Sequence, residues 1–324
     1  MRNLKSFLSA MFLVAAGLVL AVPATAQAQT YPDRRITMLV GFSAGSGADI
    51  QARYYAAKIA ELTGQTVIVE NKAGANGIIA AQALKQAKPD GYTILFSPSA
   101  GMAGGKFLYA NLPYDAQKDF IIAAPLHEII FALAVSANSP AKNVADLTAL
   151  LKKKPNARYG TSNSTAIAAT QVYKTLMSFD AQQVAYKTTA DALGDLADGT
   201  LDFMFIDGVF GLSQQKAGKA RLLATTSGKI SAAPDVPTMR EAGVGKYSFT
   251  VWWMIMTPAG TPPDVVNKLN AIITKIAEMP ETKTYLDITA SVPLKGTPAE
   301  MVKKLDEDIK TWAEIAKAGN IVPQ

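Results

Sequence analysis

The 324-residue sequence contains no cysteine, so neither disulfides nor thiolate chemistry are open to it. It contains one histidine, His127, which excludes metal centres built on several histidines and leaves a serine nucleophile a single base of the usual kind. No block of Lys and Arg interleaved with aromatics occurs. The nearest thing, LKKKP at 151–155, reads as the end of a helix. With 32 Lys+Arg against 26 Asp+Glu the charge excess is mild, and nucleic acid is not an expected partner. After the N-terminal segment no apolar run approaches the roughly 20 residues needed to cross a bilayer. Internal repeats and low-complexity linkers are lacking as well.

What is present begins with an address. Arg2 and Lys5 precede an apolar stretch from Phe7 to Val22, followed by ATAQA with Ala26 and Ala28 at the −3 and −1 positions. These are the parts of a secretory signal peptide, 1–28, with cleavage expected after about Ala28 and a periplasmic destination. The remaining chain, about 296 residues with 30 Lys+Arg and 26 Asp+Glu, is long enough for two domains with cores of their own.

Short β-branched runs alternate with longer helical patterns. ITMLV (36–40), TVIVE (66–70) and YTILFS (92–97) form one series; a second starts near IIFALAVS (129–136) and runs through ARYGTS, AQQVAY, LDFMFID and ARLLATTS. This alternation predicts an α/β fold with mainly parallel sheets. Near the C-terminus, TPPD (261–264) and TPAE (297–300) predict two helix starts with Thr as N-cap and Pro at the first helical position. Val265, Val266, Leu269, Ile272, Ile273 and Ile276 make an apolar face on the first helix. Val302, Leu305, Ile309, Trp312 and Ile315 do so on the second. Both are expected to be packing helices.

Clusters of small residues sit at the expected C-terminal ends of the strands: GFSAGSG, NKAGANG, SPSAGMAGG, GTSNST, YKTTAD and IDGVFG. In open parallel sheets these ends form one edge, where ligands bind. GFSAG also has the spacing of a hydrolase nucleophile elbow, with Ser43 as nucleophile. That reading needs a base, and His127 lies in or beside an apolar strand, where a structural role is the simpler expectation. The dinucleotide fingerprint fails at Ile50, and AGMAGGKF fails as a phosphate loop because Phe107 stands where a hydroxyl should hold magnesium. The loops are rich in hydroxyls, amides and free helix-start N–H groups, which suits the capture of an anion such as a carboxylate.

At this level of detail the sequence resembles the solute-binding receptors of the tripartite tricarboxylate transporters, the Bug-type proteins. The resemblance runs from Tyr31 to the C-terminus and is carried by YPDRRITMLVGFSAGSGADIQAR, GQTVIVENKAGANG, KPDGYTILFSPS, NLPYDAQKDF, YGTSNS, AGKARLLATTS, PDVPTMREAG and PAGTPPDVV. It implies a two-lobed periplasmic binding protein fold of type II with the ligand cleft between the lobes. It also implies a carboxylate ligand held by loop N–H groups, hydroxyls and water, and delivery to the membrane components of a transporter. Lobe 1 is expected at 29–127 plus 251–324 and lobe 2 at 128–250, with crossings near IIF and FTVWW.

By position, the resemblance implies a first cradle of Phe42, Ser43, Ala44, Gly45 and Ser46, a second loop at Ala75, Asn76 and Gly77, and a third at Ser97 and Ser99. The second lobe is expected to contribute Thr161, Ser162, Asn163, Ser164 and Tyr186, with Asp207 at a strand end. Asp49 and Arg53, spaced i,i+4, are expected to shape the first loop. The family loop usually reads F-x-P-G-G and here reads F-S-A-G-S; Ile167 stands in a slot usually held by histidine, and Thr188 follows Tyr186 and Lys187 where glycine is usual. Asp207 is either an unremarkable surface acid or a reader of an amino group, a hydroxyl or a protonated second carboxyl. The expectation is a monomeric binding protein, without catalytic residues, cofactor or metal, for an aliphatic dicarboxylate. Alternatives are an aromatic carboxylate, encouraged by Phe42, Tyr186, Trp252 and Trp253, a ligand sensor for a signalling partner, or a secreted serine hydrolase.

Overall fold

The computed structural model describes residues 31–247, 249–318 and 321–323, and the signal peptide expected at 1–28 lies outside them. The account below concerns the compact unit Arg34–Gln324. No helix among the described residues is long and apolar enough to cross a membrane.

The first β-branched runs become β1 (Ile36–Val40), β2 (Val67–Asn71) and β3 (Thr93–Pro98), which pair in parallel in the order β2-β1-β3. Helix α1 (Gly47–Thr63) follows β1, α2 (Ile78–Lys85) follows β2, and α3 (Ser99–Leu108) follows β3. Three antiparallel strands complete a six-stranded sheet: β4 (Phe120–Ile129), β10 (Val251–Pro258) and β11 (Ser291–Pro293), in the order β11-β4-β10-β3-β1-β2. All eight residues of β10 are buried, as suits a central strand covered on both faces.

The second sheet has five strands in the order β7-β6-β8-β5-β9. They are β5 (Phe131–Ser136), β6 (Arg158–Thr161), β7 (Gln182–Ala185), β8 (Phe203–Asp207) and β9 (Ala220–Thr225). Helices α4 (Val144–Lys153), α5 (Ser164–Met177), α6 (Thr189–Ala197) and α7 (Gly208–Lys216) alternate with them. One core of this half gathers Ala132, Ala134, Leu196, Leu201, Met204 and Ile206.

Both sheets are mixed rather than mainly parallel, and the chain path gives the reason. β4 leaves the first sheet at Ile129, on the edge where the parallel strands end. After Ile130 the chain enters the second sheet at Phe131, opposite Asp207, the last residue of β8. A strand that enters from that edge must run against β8, and β5 does. The return is alike: β10 starts at Val251 opposite Ile129 and therefore runs against β3. Backbone bonds from Ile130 N to Ala290 O and from Gly208 N to Ile130 O tie the crossing down. The crossings thus join the two sheets by the edges that carry the small-residue loops.

The C-terminal region holds α8 (Pro263–Glu278), α9 (Pro280–Ile288) and α10 (Pro298–Ala318). On α8 the buried face is Val266, Leu269, Ile272, Ile273 and Ile276. On α10 it is Met301, Leu305, Ile309, Trp312 and Ile315, while Val302, expected on that face, is exposed, one position out of phase. The two starts differ. Thr297 and Glu300 exchange the bonds of a capping box, Thr297 N to Glu300 Oε2 at 2.8 Å and Glu300 N to Thr297 Oγ1 at 3.3 Å. At the other start Thr261 is not the cap. Its hydroxyl donates to Pro258 O at 2.8 Å and the helix begins one residue later than expected, after Pro262. Helix α9, opened by Pro280, has no counterpart in the sequence reading.

Candidate functional site

The loop after β1 is held from beneath by one buried carboxylate. Asp49 Oδ2 accepts from Gly45 N at 2.9 Å and from Arg53 Nε at 2.9 Å, and Oδ1 accepts from Asn71 Nδ2 at 2.9 Å. Burial raises the pKa of Asp49, but the bonds from Arg53, Gly45 and Asn71 and the Arg53 charge outweigh it, so the carboxyl titrates below its ordinary value. Asn71 Nδ2 also donates to Phe42 O at 3.0 Å, which joins the loops after β1 and β2. Ser46 caps α1, its Oγ accepting from Asp49 N at 3.3 Å. A Cβ on Gly41 would stand 2.5 Å from Gly77 Cα, so the two loops approach at a distance only glycine permits.

Three helices of the second sheet start the same way. Asn163 Oδ1 accepts from Ala166 N at 2.9 Å at the head of α5. Thr188 and Asp191 form a capping box on α6, and Asp207 Oδ1 accepts from Phe210 N at 2.9 Å on α7. Hydroxyl bonds between Ser162 and Thr189 at 2.9 Å and from Gln183 Nε2 to Thr161 Oγ1 at 3.0 Å fix the loop after β6.

A cavity of about 530 Å³ lies where these helix starts converge. Gly47 and Ala48 of α1, Ser164 and Thr165 of α5, and Thr189 and Ala190 of α6 all line it. These are first-turn residues, whose backbone N–H groups have no acceptor within their own helices. No Lys or Arg lines the cavity, and Asp207 is its one charged residue. Burial pushes the Asp207 carboxyl up from its ordinary value, against the backbone N–H groups of Phe210, Asp207 itself and Val209.

Of the residues expected from the sequence, the cavity gathers Phe42, Gly45, Ser46, Asn76, Asn163, Ser164 and Asp207. Ser43 and Ala44 are exposed on the rim side of the first loop, outside the lining. Ala75 and Gly77 flank Asn76 in a short turn, where Asn76 has φ 53° and its Nδ2 donates to Tyr109 Oη at 2.6 Å. Thr161 and Ser162 spend their hydroxyls on the loop contacts above. Ser97 is buried in β3 beside β10. Ser99 borders a separate hollow of about 210 Å³ with Lys304, Asp308 and Trp312. Tyr186 packs against the second-sheet core and donates to Asp195 Oδ2 at 2.5 Å. Trp252 is buried with its Nε1 donating to Asp308 Oδ2 at 2.8 Å, away from the cavity.

His127 cannot serve Ser43. The imidazole is fully buried, with Nδ1 at 3.0 Å from Tyr55 Oη and Nε2 at 2.7 Å from Gln51 Oε1, and burial lowers its pKa to about 3. Both ring nitrogens are committed, so the nucleophile elbow has no base.

The sequence reading missed much of the lining. Gln51 of α1, Phe131 at the crossing, Phe210 of α7, and Tyr285 and Thr289 at the end of α9 all face the cavity, as does Trp253 of β10, which the sequence suggested only for an aromatic ligand. Trp253 stacks on Phe96 with centroids 4.5 Å apart, and Tyr285 stacks on Tyr54 at 3.8 Å. The indole N–H of Trp253 and the hydroxyl of Tyr285 are buried without a hydrogen-bond partner. Burial pushes the Tyr285 phenol up to about 12. The T-x-x-D box at Thr188–Asp191 was a legible signal for the α6 start; nothing in the sequence distinguishes Tyr285.

The family model for the tripartite tricarboxylate transporter family receptor matches residues 51–321. A UPF0065 protein of Bordetella bronchiseptica is 34% identical over 94% of this chain and 91% of its own length. Among solved structures, Rpa4515 of R. palustris with adipate is 30% identical with TM-score 0.84, covering 91% of this chain and 100% of that one. MatC of Rhodopseudomonas palustris with bound malate is 26% identical with TM-score 0.79, over 88% and 99%. The two-lobed fold, the converging helix starts and these likenesses agree: the chain belongs to the tripartite tricarboxylate transporter receptor family, which comprises periplasmic solute-binding receptors rather than enzymes.

Proposed function

We propose that the protein captures a small carboxylate in the 530 Å³ cavity, an aliphatic dicarboxylate by preference, for uptake through the membrane components of a tripartite tricarboxylate transporter. The observation that carries this reading is the set of six first-turn residues from α1, α5 and α6, drawn from both sheets, around a cavity without Lys or Arg. Helix N-termini attract carboxylates through their free N–H groups and their dipoles. Each hydrogen bond to a charged group contributes on the order of 1.5–3 kcal/mol, so four or five supply the roughly 8 kcal/mol of a micromolar complex. The relatives solved with adipate and malate accord with a dicarboxylate.

The lobes in this reading are 29–127 plus 251–324 and 128–250. A carboxylate that bonds to helix starts of both lobes stabilises the closed form relative to the open one, because only closure completes the bonds. The cavity is built from one copy of the chain, so a monomer suffices. An aromatic carboxylate is the second reading, favoured by Phe42 against Trp253 at 5.8 Å and by Phe131 and Phe210 in the lining. A thermal-shift and calorimetric screen of the purified protein against mono-, di-, tri- and aromatic carboxylates tests both. The expected result is stabilisation of about 2.7 kcal/mol at a hundredfold excess over Kd; no response to any acid would overturn the proposal.

A further inference from the structure

The cavity has a single carboxyl side chain in its lining, and when ionised it has the sign of the ligand. Asp207 ends β8, opposite Phe131 of β5, and caps α7 through Phe210 N. The neighbouring elements present Phe131, Val209, Phe210, Trp253 and Thr289 to the same space, none of them charged. The other titratable lining residue is Tyr285, which stays neutral because burial holds its phenol up to about 12. No cation in the lining can therefore balance Asp207 together with a second ligand carboxylate. The partial positive charges available lie at the starts of α1, α5 and α6, while at the start of α7 that position is taken by Asp207 itself.

We infer that Asp207 selects the far end of the ligand: the group placed there donates a hydrogen bond, and an ionised carboxylate is rejected. An ammonium or a hydroxyl meets the requirement directly. A dicarboxylate meets it only with one proton shared between its far end and Asp207, as two carboxyl groups at close quarters cannot both ionise. A carboxylate retains acceptor capacity after one capping bond, so the cap and the ligand contact are compatible. Burial, which favours the protonated form of Asp207, works in the same direction. This inference rests on the carboxylate reading above and narrows it: the preference for a dicarboxylate holds only where a proton is available to share, and hydroxy and amino acids take precedence as pH rises.

The two kinds of ligand then respond to pH in opposite directions. Affinity for a dicarboxylate falls as pH rises, because the complex needs a proton that becomes scarcer, by up to tenfold per unit. Affinity for an ω-amino acid rises or holds steady, because ionised Asp207 attracts the ammonium.

The experiment compares four acids on one skeleton, hexanoate, 6-hydroxyhexanoate, 6-aminohexanoate and adipate, with the four-carbon set in parallel, by calorimetry at pH 5.5 to 8. The wild-type protein and Asp207→Asn are both measured. Asn caps helices about as well as Asp, so the variant keeps the start of α7. At pH 8 the wild type should bind the hydroxy and amino acids at least tenfold tighter than the diacid, and diacid binding should take up about one proton. In Asp207→Asn the proton uptake should vanish and the preference for the amino acid over the diacid should fall at least tenfold. The same ligand order in both proteins, or tight diacid binding at pH 8 without proton uptake, overturns the role of Asp207. Hexanoate and butyrate keep the outcomes apart. If they bind while the far end makes no difference, only this inference fails. If no acid binds at any pH, the carboxylate reading fails with it. Should Asp207→Asn not fold, the pH series on the wild type decides alone.

Discussion

His127 Nε2 lies 2.7 Å from Gln51 Oε1, and Gln51 lines the cavity while His127 lies wholly beneath it. With Tyr55 Oη donating to Nδ1, the bond to Gln51 is made by an Nε2–H, so the ring is neutral and the Gln51 carbonyl is occupied. The amide nitrogen is the end of Gln51 left for a ligand.

Acid should expose this arrangement. The pKa of His127 is about 3 in the fold against 6.5 for the free side chain. Between those values the unfolded chain binds a proton that the folded chain refuses. The stability contributed by the neutral ring is complete above pH 6.5 and is lost as pH falls towards 3, at about 1.4 kcal/mol per pH unit. Denaturant titrations from pH 7 to 4 should show this slope, and His127→Gln should flatten it. Equal slopes in the two proteins would remove His127 as the cause.

The ion pair at the first loop should prove lopsided. Asp49 is buried and accepts from Gly45, Arg53 and Asn71, whereas about half of the Arg53 side chain is exposed. Asp49→Ala strands two partly buried donors, at about 1–3 kcal/mol each, and frees the loop from α1. Arg53→Ala removes a partner that water replaces and should cost less. Melting temperatures and carboxylate affinity should fall more for Asp49→Ala.

Gly41→Ala tests the contact between the two first-sheet loops. The added methyl meets backbone at Gly77, not a side chain that could turn aside. Overpacking of this kind costs about 1–3 kcal/mol. Because both loops carry lining residues, affinity should fall together with stability, while Gly47→Ala, where a methyl meets nothing within 4 Å, should leave stability intact.

Trp253→Phe and Tyr285→Phe should separate binding from folding. Each keeps a ring and removes a buried polar hydrogen that has no protein partner. Unliganded Tyr285→Phe should melt at the same temperature or higher, since a buried unpaired donor is costly, whereas Trp253→Phe also removes buried ring atoms packed on Phe96 and should melt somewhat lower. If these groups bond to the ligand, affinity should drop about threefold to tenfold in calorimetry; unchanged affinity would show that neither does.

Ser43→Ala should leave carboxylate binding within about threefold, because the side chain lies outside the cavity lining and the proposed contacts are helix-start N–H groups it does not supply. Neither protein should react with a fluorophosphonate, as both His127 nitrogens are held by Tyr55 and Gln51.

Local chemistry was legible in the sequence. Strands β1 to β3, the capping box at Thr297, the apolar face of α8 and the Asp49–Arg53 pair follow from patterns a few residues long. So do the residue types of the loops: small, hydroxylated and uncharged at strand ends. What the sequence could not specify is which loops meet. That depends on β5 and β10, which enter their sheets from the loop-bearing edge and so run against their parallel neighbours. Their crossing brings Asp207 opposite Phe131, turns Trp253 rather than Trp252 towards the cavity, and sends Ser99 to a different hollow. Tyr285 arrives from a helix that lies 231 residues beyond Tyr54 in sequence, through a stack on Tyr54 that no local pattern encodes. The sequence by itself determined a set of neutral, anion-seeking helix starts. The tertiary structure decided that three of them share a cavity with one carboxylate, because convergence is a property of how strands cross and not of what any segment contains.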